Sequence, residues 1–364
     1  MVLLFLLFWL MAVLILFLGK RKVSLPGLVV VILISMLMAF NAYNMDYDTY
    51  EEVYNSINDL SNLDHGNDFM YILVNRLGNW LGLSFGEFRC IYICSCLLSY
   101  YCFAVKHTKY VALCMVFYFL CGGLFDYIQL RQFGAMAIAI WLTDVAMNRN
   151  QNKSWLKATV ILLFASGFHV LSLLYLIIFP YFFWPEKQKR IFRLSFVILI
   201  ATIFVGLNSS VIYTLMSYFA GEGTASYYLI SNNYIDTVAK IILDMVIQQV
   251  LLIVILYLRY RDCLKHNCDG YEVMAIWAVD ILITALMPLN VLTIQFKRIT
   301  RMTLIPSFSK VLSQGLIKEG FIIRKVDAII MILLFIYVFL YYYITIAANP
   351  TILTDLFTYF YTKI

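Results

Sequence analysis

A polar stretch between two apolar runs is the part of the sequence best suited to chemistry. Residues 122–142 read GGLFDYIQLRQFGAMAIAIWL and contain Asp126, Gln129, Arg131 and Gln132. Placing a guanidinium near hydrocarbon costs several kcal/mol at least, so ionisable residues in such a position usually serve a function. We therefore treat this stretch as the candidate functional centre of the chain.

Three other groups of polar residues belong with this stretch. They are Asp46, Asp48 and Tyr50 after the second apolar run, His169 in the sequence Gly167-Phe168-His169 that interrupts a later run, and the cluster Lys297, Arg298 and Arg301. Arginine binds phosphate through a planar fork of donors and stays charged. Two or three arginines at one membrane face therefore suit a pyrophosphate carried on a lipid, whose charge they could stabilise without a metal.

Each of these residues also has a purely structural explanation. Arg131 could pair with Asp126 across a turn, and His169 could be a hydrogen-bonded residue of a helix break. The two arginines of the distal cluster could extend to the lipid headgroups, and the two early aspartates could lie at a solvated loop edge. The sequence leaves these alternatives open.

The composition identifies the class of protein. Hydrophobic residues make up 63% of the 364 residues and charged residues 13%, whereas a soluble domain has roughly half and a quarter. Apolar runs long enough to span a bilayer recur along the chain. We predict an all-α, polytopic transmembrane helical bundle that forms a single integral membrane domain, residues 1–364, with outer loops at about 44–87 and 208–236.

The distribution of lysine and arginine predicts which loops face the cytoplasm. Most of these residues lie in loops at 20–22, 106–109, 149–157, 187–193, 259–265 and 310–325. The positive-inside rule places such loops in the cytoplasm. The remaining loops then face outward, and the candidate cations and carboxylates named above all lie at outward-facing ends of helices.

One apolar run conflicts with this topology. It has about 26 residues and lies between the basic loops at 149–157 and 187–193, so a single span would end on the wrong side. We expect it to break at Gly167-Phe168-His169 and return as a helical hairpin. Helices break at membrane depth only where protein or a water-filled cavity meets the freed backbone groups. With the hairpin counted as two, we predict about 11–12 membrane segments, some broken or re-entrant.

Residues 69–88 are too polar and too short to span a membrane. Gly78, Gly82 and Gly86 recur in them at four-residue intervals. We predict an interfacial helix that packs closely on a neighbour through this glycine face.

Several other classes of site are not predicted. The sequence has no phosphate-binding glycine-rich loop, no nucleophile elbow and no zinc-binding His-Glu-x-x-His motif. None of the eight cysteines has a metal-ligand spacing with a histidine. We expect no metal, no cofactor and no nucleic-acid partner.

Three phrases of the sequence together resemble a known family. They are Asp46-Tyr47-Asp48-Thr49-Tyr50 followed by Tyr54, Leu130-Arg131-Gln132-Phe133-Gly134-Ala135 at the start of a later helix, and Phe168-His169-Val170-Leu171-Ser172 in the next run. In order and spacing they look like the EpsG family, whose members resemble the Wzy-type polymerases of bacterial surface polysaccharides. The chain departs from the usual Phe-His-x-Ser-Ala pattern, and Asp68-Phe69 matches the family's acidic and aromatic pair only loosely.

The resemblance implies a GT-C-like, metal-independent membrane glycosyltransferase of the bacterial cytoplasmic (inner) membrane. Its substrate would be oligosaccharide repeat units on undecaprenyl pyrophosphate. At the outer face it would polymerise them into an O-antigen, a capsule or an exopolysaccharide. The implied partners are this lipid-linked oligosaccharide, membrane lipid, a chain-length regulator and a flippase.

The resemblance also suggests roles for the candidate residues. Arg131, Arg298 and Arg301 would hold the pyrophosphate, and His169 would orient or neutralise it. A carboxylate, that of Asp46 or Asp48, would accept the proton of the attacking sugar hydroxyl. The other substrate-binding candidates are Tyr50, Asp126 and Gln132.

Two other functions fit the same residues. A flippase or transporter of a lipid-linked or anionic glycan would use the arginines for binding without bond formation. A structural scaffold of the polysaccharide assembly machinery would leave the convergent arginines without a purpose. Alternating access needs polar residues that reach both faces, and here the intramembrane charges outside the outer cluster are few (Asp144, Lys240, Asp244 and Asp280). This distribution favours a one-sided site.

Overall fold

The computed structural model describes residues 2–18, 23–41, 44, 46–57, 68–148, 154–184, 187–207, 249–266, 270–291, 298–313 and 325–348. These residues are mostly helical, and no strand occurs among them. The predicted all-α class is therefore confirmed for the described part of the chain. The outer loop expected at 208–236 and Lys297 lie outside it.

The α-helices are, in chain order, α1 (Val2–Leu18), α2 (Leu25–Ala39), α3 (Tyr47–Ser56), α4 (Phe69–Trp80), α5 (Phe85–His107), α6 (Val111–Tyr118), α7 (Leu124–Asp126), α8 (Leu130–Met147), α9 (Ser154–Phe168), α10 (Phe179–Phe183), α11 (Gln188–Leu207), α12 (Leu251–Lys265), α13 (Tyr271–Thr284), α14 (Leu304–Ser313) and α15 (Lys325–Ala348). A π-helix, Phe119–Gly123, joins α6 to α7. Short 3₁₀ helices occur at Val170–Ile178, Met287–Val291 and Thr300–Thr303.

Helix α8 lies at the centre of the bundle. It packs against α5, α9, α13 and α14, and most of its side chains are buried. A Cβ atom at Gly134 would lie 1.8 Å from the Tyr92 hydroxyl, so only glycine fits where α8 meets α5. The same hydroxyl donates to the Leu130 carbonyl at 3.1 Å. The close contact therefore fixes the first turn of α8, which carries Arg131.

Residues 69–88 form two helices instead of the single glycine-faced helix that the spacing predicts. Gly82 has φ of +71°, a conformation that glycine adopts at little cost, and it ends α4. Ser84 then caps the start of α5. Gly78 packs closely, since a Cβ there would lie 2.7 Å from Phe88 Cδ2, whereas a Cβ at Gly82 would have no atom within 4 Å. The prediction of one glycine face was wrong because the turn at Gly82 redirects the chain.

The apolar run after α8 breaks where the sequence predicts. Helix α9 ends at Phe168, and His169 is extended, with φ of −158° and ψ of 120°. The chain continues as a 3₁₀ helix and α10, and α10 packs back against α9. The predicted helical hairpin is therefore confirmed as a feature of the fold.

Polar residues gather at both ends of the bundle. At the end where α5 and α8 finish, Asp144 pairs with Lys106 at 2.6 Å and with His107 at 2.8 Å. Lys310 of α14 pairs with Glu272 of α13 at the same end. The basic segment after α5 thus lies opposite the first turn of α8, as the topology argument requires.

Within the described residues, three helical regions are long and apolar enough to cross a membrane, namely Phe85–His107, Tyr271–Leu289 and Lys325–Ile344. Shorter apolar regions are Val2–Leu16, Leu25–Ala39, Val111–Asp126, Ser154–Phe168 and Val170–Phe183. The length and composition of these helices support the prediction of a membrane protein. The expected total of about 11–12 segments stays a prediction.

The hairpin predicts which positions can be reached from each side of the membrane. We expect an impermeant thiol reagent to label cysteines introduced at Lys157 and Lys189 from the same side, together with a control cysteine at Lys106. A cysteine at His169 should be labelled from the other side. Labelling of positions 157 and 189 from opposite sides would contradict the hairpin.

Candidate functional site

Asp68 connects three distant segments at the end of the bundle where α8 begins. It immediately precedes α4, and its Oδ2 accepts a hydrogen bond from Arg131 Nη1 at 2.8 Å. Its Oδ1 accepts the backbone N–H of Val170 at 3.1 Å. That N–H is freed by the break after α9, and a buried backbone donor needs a partner. One carboxylate therefore stabilises the helix break and orients the arginine.

His169 lies beside the same carboxylate. Its Nδ1 is 3.7 Å from Asp68 Oδ1, a distance that suits charge attraction rather than a hydrogen bond. Burial raises the pKa of Asp68, but His169 and Arg131 outweigh this effect, and the net pKa lies below the usual value of an aspartate. Asp68 is thus a permanent anion near neutral pH and a poor proton acceptor.

A cavity of about 200 Å³ opens next to this group. Its lining consists of Asp46, Thr49, Tyr50, Val53, Asp68, Tyr71, Ile72 and Arg131. The volume is below the about 300 to 1,000 Å³ of typical small-molecule pockets, so the cavity has room for a small chemical group and not for a large ligand. The Arg131 side chain is 41% exposed, and its Cζ lies 5.9 Å from the centre of the Tyr50 ring. The cavity therefore offers a cation and an aromatic ring.

Asp46 is the second carboxylate of the cavity and differs from Asp68 in its electrostatics. Burial raises its pKa, and the charges of Arg298 and Arg131 oppose this increase without cancelling it. A carboxylate with a raised pKa is a better proton acceptor near neutral pH. Asp48 lies on the exposed side of the first turn of α3, outside the cavity lining. Of the two candidate bases, the geometry favours Asp46.

Asp126 pairs with Arg301 and not with Arg131. Arg301 Nη1 donates to Asp126 Oδ1 at 2.6 Å, and the Tyr118 hydroxyl donates to Oδ2 at 2.5 Å. Both ion-pair partners are buried, with exposures of 4% for Arg301 and 0% for Asp126. The alternative that Arg131 pairs with Asp126 is wrong because the start of α8 directs Arg131 to Asp68.

The π-helix and a glycine make room for this buried pair. A Cβ at Gly122 would lie 3.6 Å from Arg301 Cδ, an ordinary contact, but only 3.0 Å from Leu304 Cδ1, so a larger residue would displace the leucine that packs beside the arginine. Arg301 also donates to Gln129 Oε1 and lies over the Phe125 ring. Its charge is therefore satisfied inside the protein, and the alternative that it extends to the headgroups is wrong.

The remaining candidates differ in placement. Arg298 is half-buried and close enough to Asp46 for its charge to act on that carboxylate. Gln132 is 5% exposed, and its Oε1 has no hydrogen-bond partner among the described residues. Neither Gln132 nor Asp126 lines the cavity. The structure thus brings Asp46, Tyr50 and Arg131 together in one cavity, with Arg298 in electrostatic range of Asp46. Asp126 and Arg301 form a separate, buried ion pair.

Asp68 belongs to the site, although it is not among the candidate residues that the sequence predicts. The only signal in the sequence is an acidic residue directly before an aromatic one, after a long polar segment. Its role depends on contacts with residues that lie 63 and 102 positions away in the chain. Within the described residues, no group of three or more His, Cys, Asp or Glu side chains is arranged to hold a metal ion.

The Asp126–Arg301 pair leads to a prediction about stability. Removing one partner leaves a buried charge without compensation, at a cost of about 3–5 kcal/mol. We expect Asp126→Asn to lower the melting temperature of the detergent-solubilised protein, and the double variant Asp126→Asn/Arg301→Gln to recover part of the loss. Asp48→Asn, at an exposed position, is the control. If the double variant is no more stable than Asp126→Asn alone, the pair is not the source of the effect.

Comparison with known proteins places the chain in a family. Neither the curated proteins nor the solved structures give a match. The model of the EpsG family matches residues 25–361, nearly the whole chain, and these residues include all the candidate site residues. The chain therefore belongs to the EpsG family, a Wzy-like family of polysaccharide polymerases.

Proposed function

We propose that the protein is a GT-C-like glycosyltransferase that polymerises undecaprenyl-pyrophosphate-linked oligosaccharide repeat units at the outer face of the bacterial cytoplasmic membrane. Its product would be an O-antigen, a capsule or an exopolysaccharide. The observation that carries the proposal is the small cavity in which the partly exposed Arg131 lies near the half-buried Asp46. A cation and a proton acceptor in one cavity are what glycosyl transfer from a lipid pyrophosphate requires.

The donor side of the proposed site consists of Arg131 and Arg298. Arg131 has several N–H donors, of which Nη1 is used for Asp68, and its exposed side chain leaves others for phosphate oxygens. As the glycosidic bond to the pyrophosphate breaks, the leaving group takes the electron pair. Fixed cations stabilise this developing charge without a metal. Arg301 would act indirectly, because its ion pair with Asp126 holds the turn between α7 and α8 that leads to Arg131.

The acceptor side consists of Asp46 and Tyr50. A sugar hydroxyl of the incoming unit would attack the anomeric carbon of the donor, and Asp46 would accept its proton. The ring of Tyr50 offers an apolar face for a sugar. His169 lies next to Asp68 and would assist in orienting or neutralising the pyrophosphate.

The direction in which the site faces follows from the distribution of charge. Lys106 at the end of α5 and Lys157 near the start of α9 lie at the end of the bundle away from Arg131. The positive-inside rule assigns that end to the cytoplasm. The cavity would then face outward, where a flippase would supply the lipid-linked units and a chain-length regulator would act on the product.

The reaction can be tested with purified components. We expect protein in liposomes to convert undecaprenyl-pyrophosphate-linked repeat units into a ladder of longer lipid-linked glycans without nucleotide sugar. Liposomes with heat-inactivated protein are the control. Movement of the substrate across the bilayer without any extension would contradict the proposal and support a flippase.

The identity of the base gives a prediction with a matched control. Asp46→Asn should lower the turnover number by about a hundredfold or more, because loss of general-base catalysis has that scale. Asp48→Asn makes the same chemical change two residues away, outside the cavity, and should retain near-normal ladders. Equal rates for the two variants would show that Asp46 is not the base.

The charge of Arg298 leads to a prediction about pH dependence. Asp46 must be ionised to accept a proton, so activity should fall as the pH drops through its pKa. Arg298 lowers that pKa, and its removal should raise it. We therefore expect Arg298→Met to move the acid limb of the initial-rate profile to higher pH, whereas Arg193→Met, at an exposed position on α11, should not. A limb that stays in place or moves to lower pH would contradict this role.

A further inference from the structure

Arg89 is a buried arginine that the reaction scheme does not use. It lies near the start of α5 and is 2% exposed. Its Nη1 donates to the carbonyl oxygen of Ala39 at 3.1 Å and to that of Asn41. Its Nη2 donates to the carbonyl oxygen of Tyr127 at 3.2 Å. One guanidinium therefore joins the end of α2 to the corner between α7 and α8.

These two segments carry the two sides of the proposed site. The chain that leaves α2 reaches Asp46 five residues after Asn41. The corner at Tyr127 leads to Arg131 at the first turn of α8. The distance between the proposed proton acceptor and the proposed phosphate ligand thus depends on a connection that Arg89 makes through backbone atoms.

Among the described residues, backbone carbonyl groups compensate the charge of Arg89. No described carboxylate forms an ion pair with it. The carbonyl oxygens at the end of α2 carry the negative end of the helix dipole, and the ring of Tyr47 lies 5.6 Å from its Cζ. A buried charge is costly unless it is well hydrogen-bonded. If the side chain at position 89 only filled space, an apolar residue there would be more stable than a buried charge.

We infer that Arg89 is a positioning residue that sets the separation of the acceptor and donor sides of the site by holding the carbonyl groups of residues 39, 41 and 127. This inference rests on the proposed function. Lysine cannot replace it, because an ammonium group is a compact donor and lacks the rigid fork that reaches both segments. Arg89 touches no substrate and acts only through Asp46 and Arg131.

A kinetic experiment separates positioning from binding. We expect Arg89→Lys and Arg89→Met to lower the turnover number by about a hundredfold, since a shift of roughly 1 Å in a reacting group has that effect. The half-saturating concentration of the lipid-linked donor should change much less, because Arg131 and Arg298 are still present. Arg76→Met, the same change on the neighbouring helix α4, is the control. Normal turnover in Arg89→Lys, or a loss confined to donor affinity, would overturn the inference.

A second experiment measures the geometry without relying on activity. Cysteines in place of Asn41 and Tyr127 should be joined in high yield by a short membrane-permeant thiol crosslinker when Arg89 is present. The crosslinking yield should fall in the Arg89→Met background. If the Arg89→Met protein does not accumulate, Arg89→Lys is used in its place, with the same expected result. Equal yields in the two backgrounds would overturn the inference. Absence of any ladder with the unmodified protein would instead refute the proposed function, and the crosslinking would still test Arg89.

Discussion

The hydrogen bonds of Asp68 are the interaction on which the site depends. A helix that breaks inside an apolar run leaves a backbone N–H without a partner, and Asp68 accepts that of Val170. The same carboxylate holds Arg131. The energetic need to satisfy the break and the functional need to orient a cation are therefore met by one residue. Loss of Asp68 would disturb both the hairpin and the cavity.

Three arginines at the end of the bundle where α8 begins have different roles, although their side chains are chemically identical. Arg131 is partly exposed and faces a cavity, so its charge is available to a substrate. Arg301 is buried against Asp126 and braces the corner before α8. Arg89 is buried among carbonyl groups and joins two segments. Burial and the nature of the partner, rather than residue type, decide which arginine is free for binding.

A substantial part of the fold and a smaller part of the site could be predicted from the sequence. The helical class and the break at residues 167–169 follow from composition, run length and charge, which are local properties. The glycine-faced helix over residues 69–88 was wrong because the spacing of glycines does not reveal that Gly82 adopts a positive φ. For the site, the sequence identified Asp46, Tyr50 and Arg131, which share one cavity.

The sequence by itself determined that the protein is an apolar helical bundle with unusual polar residues at helix ends, because hydrophobicity and charge are read residue by residue. Only the tertiary structure decided which charges pair. Arg131 lies five residues after Asp126 and yet pairs with Asp68, while Asp126 pairs with an arginine 175 residues away. Such pairing depends on which helix faces meet, and sequence separation carries no information about that meeting. The same reason explains why Asp68 and Arg89 gain their importance only in the folded chain.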